Sequence, residues 1–193
     1  LMYWQVYLHK TVLSAEFLLM KILERAKEVA SENKNIFATD AMKMFLFENI
    51  DAKKMEDSIV LQNFSKLDDM DVIVCIKEWI NSTDKVLSVL STMLVNRKLL
   101  KVKQKKTPFT EDEISYYKNS YQNKYSFNDH ELSYFIFQDS MTNNAYNSSK
   151  DEIKILFKDG SLKDITEASD NFNIQSLSKP VKKYYLFHPE LAP

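Results

Sequence analysis

The chain has 193 residues, 45% of them hydrophobic, with 26 basic and 27 acidic side chains and a net charge of −1. That suits one large domain, or a domain with a small appendage, and the balanced charge excludes a general pull toward nucleic acid or an anionic membrane. The single glycine excludes a Rossmann fingerprint and a P-loop, and the single cysteine, Cys75, excludes an intrachain disulfide and a cysteine-built zinc site, which fits a reduced, cytoplasmic setting.

A chain this poor in glycine and proline should hold long helices. Residues 1–31 read as one, with Val6, Leu13, Phe17, Met20 and Ile22 at helical spacing and Trp4, Leu8, Leu19 and Leu23 beside them. A helix apolar around much of its circumference belongs at the centre of a fold. His9, Lys10, Glu16 and Lys21 make it costly to place in lipid, so no membrane is expected as a partner. The chain starts on Leu1 within this pattern, as a piece of something longer would. Asp40 is expected to cap a helix over 41–49, and residues 55–66 repeat Met55, Ile59, Leu61 and Phe64 as an amphipathic set. Asp68 should cap a helix to about residue 81, and Asp84 the next one, with Val86, Leu87, Leu90, Met93 and Leu94 inside.

At Arg97 the pattern changes. Residues 99–105 alternate as a half-exposed strand. Thr110 to Glu113 forms a capping box for a helix to about residue 125. Strand-like runs follow at 132–141, 152–158 and 181–187, with a loop over 142–150 and a hairpin turn at Asp159-Gly160. The expected fold is therefore mainly α with an α+β C-terminal part: a helical bundle-like body over 1–98, then a region over 99–193 with a small antiparallel sheet.

Chemistry-bearing residues are few. His9 and Lys10 could present donors and charge to a phosphate, although neighbours on a helix point about 100° apart, and a lone dipeptide is more often plain surface. Lys101, Lys103 and Lys105 share one strand face. Such a row suits a polyphosphate or a nucleic-acid backbone, or equally an edge strand protected from aggregation. No aromatic residue interleaves it, so nucleic acid is the less favoured partner. His9, His130 and His188 are scattered, no His-Asp dipeptide occurs, and no metal ligand is assigned. No glycine flanks a serine as a nucleophile elbow requires, and Cys75 lies in an apolar run as a buried, inert thiol would. Tyr116-Tyr117 and Tyr184-Tyr185 should each turn one ring outward. No catalytic residue is assigned.

The run Met2-Tyr3-Trp4-Gln5-Val6-Tyr7-Leu8-His9-Lys10-Thr11, followed by an apolar helix ending Leu23-Glu24-Arg25-Ala26-Lys27, resembles the stretch just after the metal-binding core of HD-superfamily phosphohydrolases, in the branch related to dNTP triphosphohydrolases that includes the SAM-and-HD-domain enzyme. Leu67-Asp68-Asp69-Met70-Asp71, Asp84-Lys85 and Asn96-Arg97-Lys98-Leu99-Leu100-Lys101 are similar in order and spacing to that family's C-terminal region. The resemblance covers most of the chain and weakens after about residue 125.

The resemblance implies a metal-dependent hydrolase acting on nucleotides. Its divalent ion (manganese, magnesium, iron or zinc in type) is held by one His, a His-Asp pair and a distant Asp, all upstream of this region, so no cofactor is expected in the fragment and the fragment alone should be inactive. It implies a substrate contact at Tyr7, nucleotide or phosphate contacts at His9, Lys10, Arg97 and Lys101, and a homo-oligomer. Gln5 departs from the arginine of the SAM-and-HD-domain enzyme and removes a cation from the regulatory contacts. The residues taken alone leave another reading open, a non-catalytic module that binds protein or nucleic acid. Apolar surface on the first helix is expected to promote self-association through residues 1–20.

Overall fold

The computed structural model describes residues 6, 8–32, 35–143, 153–168 and 181–190. The protein is mainly α, with a small antiparallel sheet. It divides into two compact units: residues 1–102, 112–137 and 187–193 form the first, and residues 103–111 and 138–186 the second.

The first unit is built on α1 (Lys10–Ser31), whose Leu13, Phe17, Leu18, Ile22, Ala26 and Val29 are buried. It packs against α2 (Asp40–Phe47) and α5 (Lys85–Val95), and α4 (Asp69–Trp79) packs in turn on α5. Lys27 donates from α1 to the carbonyls of Phe45 and Glu48 at the C-terminal end of α2, where the helix dipole favours a cation. Trp79 is buried and its Nε1 donates to the Phe37 carbonyl at 2.8 Å, so the indole is not left unsatisfied. The rings of Phe17, Phe137 and Phe187 meet at centroid distances of 4.7–5.8 Å and bring a strand end from each later segment onto α1. Helix α6 (Glu111–Tyr125) and the short α7 (Asp129–Leu132) close the unit, with Tyr121 and Phe127 both ringed against Phe135.

Several boundaries differ from those the sequence suggested. The helical run is broken at His9, which is extended (φ −67°, ψ 139°) and whose Nδ1 accepts the Thr11 N–H, so α1 opens at Lys10. Val6 is exposed, and residues 1–5 and 7 lie outside the described residues. Thr39 rather than Asp40 caps α2, accepting from Met42 N. Residues 55–66 split into a 3-10 turn (Lys54–Glu56) and a short α3 (Ser58–Phe64) that buries Val60 and leaves Ile59, Leu61 and Phe64 outside. Asp68 does cap α4 in a reciprocal box with Asp71, and Asp84 caps α5 through Leu87 N. The run at 132–141 is not a single strand: an Asn128–Glu131 capping box opens α7, and the strand begins only at Phe137.

The second unit carries most of a three-stranded sheet ordered β1 (Lys101–Lys105), β5 (Val181–His188), β2 (Phe137–Asn143). β1 lies at its edge, and Tyr185 and Leu186 of β5 are fully buried. A separate hairpin pairs β3 (Lys154–Leu156) with β4 (Leu162–Asp164), placing Leu156 opposite Leu162, and α8 (Ile165–Ala168) follows. Gly160 sits at φ 83°, and Asp159 Oδ1 accepts from Ser161 N, so the turn is formed by the residues that predicted it. Of the loop expected over 142–150, Thr142 and Asn143 belong to β2, and 144–150 lie outside the described residues. No helix is long and apolar enough to cross a membrane among the described residues.

Candidate anion-binding groove

A groove of about 990 Å³ opens within the first unit, between the start of α1, the second half of α5, the link over residues 96–102 and the chain after β5. Its construction begins at the end of α5. Arg97 N donates to Leu94 O and Lys98 N donates to Met93 O, a paired closure of the helix end that requires a left-handed residue between them. Arg97 fills that place at φ 56°, where glycine is the usual choice. The turn delivers Arg97 and Lys98 to the groove wall. Ser14 Oγ then donates to the Leu100 carbonyl at 2.7 Å, a buried bond that fastens the link to α1.

Four cations line the groove: Lys10, Arg97, Lys98 and Lys101. Lys10 is the first residue of a 22-residue helix with no acidic side chain in its first turn. A cation at the positive end of a helix dipole is unfavourable by itself and favourable once an anion is bound. Thr11, Ser14, Ser88, Thr92 and Tyr121 add hydroxyls, and Met93 and Val102 add apolar wall. The carboxylate among the described lining residues is Glu190, which pairs with Lys101 at 3.0 Å. Cations and hydroxyls in one concave site are suited to holding phosphate oxygens.

Lys10, Arg97 and Lys101, separated in sequence, thus meet in one groove. His9 stands beside it as the cap of α1, its Nδ1 engaged by Thr11 N at 3.3 Å. Tyr7 lies outside the described residues. Glu190 was missed, because no local pattern ties it to Lys101.

Over 98% of its length the chain matches the crystal structure of a phosphohydrolase from Bacteroides thetaiotaomicron VPI-5482, at 42% identity and a TM-score of 0.86. This chain is similar to a phosphohydrolase. It spans 47% of that protein's chain. An uncharacterized protein of Bacillus subtilis (strain 168), YwfO, is 33% identical over 98 residues, which are 51% of this chain and 21% of YwfO. No family model matches the chain.

A second polar cluster serves the frame of the same unit. Arg25 of α1 is buried and gives Asp84 two bonds, at 3.1 and 2.6 Å, and Glu28 a third at 2.8 Å. The hydrogen bonds that it donates to Asp84 hold the guanidinium firmly protonated. Tyr134 lies against Arg25 and Glu28; burial, then its bond with Glu28, pushes its hydroxyl well above the usual range. The cluster joins α1, the cap of α5 and the segment after α7. No group of three or more His, Cys, Asp or Glu is arranged to hold a metal ion among the described residues. The described side chains therefore offer no ligand set for a divalent ion. The Cys75 thiol is buried, and burial raises its pKa.

Proposed function

We propose that this chain acts as the C-terminal part of a metal-dependent HD-superfamily phosphohydrolase that works on nucleotides, in the manner of the dNTP triphosphohydrolases. The match to the Bacteroides phosphohydrolase carries the reading, at 42% identity over 98% of this chain. The metal and the bond-breaking groups are supplied by the part of the longer enzyme that the match leaves uncovered. This region supplies wall and a cationic groove in which Lys10, Arg97 and Lys101 hold the phosphates of a nucleotide, with His9 at its margin, and Tyr7 serves as a substrate-binding residue. A homo-oligomer in a cytoplasmic setting belongs to the same proposal.

Thermal unfolding with a panel of dNTPs tests it, since a ligand of the native state raises the midpoint. Triphosphates should stabilise the chain, and with added Mn²⁺ the chain alone should release no phosphate. EDTA-sensitive turnover by this chain would overturn the division of labour. Stabilisation by single-stranded DNA alone, lost steeply with salt, would replace the enzyme reading with a nucleic-acid module.

A further inference from the structure

The groove is not uniformly basic, and the exception sits in a defined place. Glu190 follows β5 directly. His188 at the end of that strand is buried, its ring lies 4.3 Å from that of Tyr117, and its Nδ1 is 2.8 Å from the Pro189 carbonyl oxygen. Pro189 is buried and lines the groove. Two fixed residues therefore deliver the carboxylate to Lys101, while the side chains of Lys101 and Glu190 stay 53% and 78% exposed. An ion pair so open to water is weak and has room to part. Lys10, Arg97 and Lys98 have no carboxylate partner among the described residues, so Glu190 meets only part of the groove's charge.

We propose that Glu190 is a resident counter-anion of this groove: it holds Lys101 in the empty site and swings away when a polyphosphate enters, setting the threshold of charge a ligand must carry. The inference rests on the reading of the groove as a phosphate site. A ligand with several charges engages the three other cations and then wins Lys101 from a single carboxylate. A weakly charged anion gains too little from them to do so. Because the displaced pair is the same for every ligand that enters, its removal should tighten all of them by one factor.

Isothermal titration with inorganic tripolyphosphate and with pyrophosphate separates the outcomes, using the wild-type chain, Glu190→Gln, Lys101→Met and the double variant. Glu190→Gln should tighten both ligands equally, by about threefold, the size expected of an exposed ion pair. The gain should vanish where Lys101 is already Met, because Glu190 acts through that side chain. An unchanged affinity in Glu190→Gln, or a gain that persists without Lys101, overturns the displacement while leaving the phosphate site standing. A gain that grows with ligand charge also overturns it, since Glu190 would then be staying in place and repelling. If none of the four proteins binds either ligand saturably, the phosphate site itself falls, and the proposal with it.

Discussion

Arg97 carries two roles that pull against each other. Its backbone occupies a left-handed position at φ 56° that costs a side-chain-bearing residue about 1 kcal/mol, and its guanidinium lines the groove. Strain kept at such a place is a reason to look for function there. Arg97→Gly should raise stability by about 0.5 kcal/mol in urea unfolding, because glycine accepts that backbone freely, while weakening polyphosphate binding. Loss of both together would mean that the arginine side chain is a structural prop. The sequence marked Arg97 and Lys101 as cationic through one dense run, and Lys10 through its neighbour His9. What it did not show was that they share a site, because that depends on the Ser14–Leu100 bond fastening the link to α1. Glu190 gave no signal at all, being an isolated acid at the end of a strand.

Among the elements, the best-read ones declare their own ends. Asp68 and Asp84 cap α4 and α5, and Asp159-Gly160 turns β3 into β4, each as the local pattern suggested. The misread ones turn on polar caps and turns that the apolar pattern hides. The apolar pattern runs unbroken through His9, but that ring caps α1, which opens at Lys10. The apolar run after residue 132 looks like strand, yet Leu132, Phe135 and Ile136 are buried in a helical end and turn. Arg25 and Asp84 show the same gap: the cap was legible, and the second duty of Asp84 as counter-ion to a buried arginine was not. Asp84→Ala removes the α5 cap and leaves Glu28 as the one carboxylate bonded to Arg25 among the described residues. It should cost about 2–3 kcal/mol, read as a lowered urea midpoint, because a buried guanidinium loses two of its three bonds in addition to the lost cap. A loss below about 1 kcal/mol would mean the cap alone matters.

At the scale of the whole molecule, the expectation of a helical body with a small sheet came from the near-absence of glycine and proline and from where alternation replaces helical spacing, and the structure has that composition of elements. Its interior also sets an alkaline limit. Burial raises the Cys75 thiol above its ordinary value of 9.0, and the Tyr134 and Tyr185 hydroxyls above 10.0. Above pH 9, and again above pH 10, the unfolded chain releases these protons while the folded chain keeps them, so the unfolded state binds fewer protons and stability falls as pH rises. The urea midpoint should therefore be lower at about pH 10.5 than at about pH 8.

The function rests on Lys10 and the distant pair Arg97 and Lys101 forming one phosphate site. Titration of a deoxynucleoside triphosphate into the wild-type chain, and into a chain carrying Lys10→Met, Arg97→Met and Lys101→Met, addresses it directly. Saturable binding that the triple substitution abolishes, with thermal unfolding still cooperative, is the predicted result. Equal binding by both proteins would place the ligand elsewhere and contradict the account.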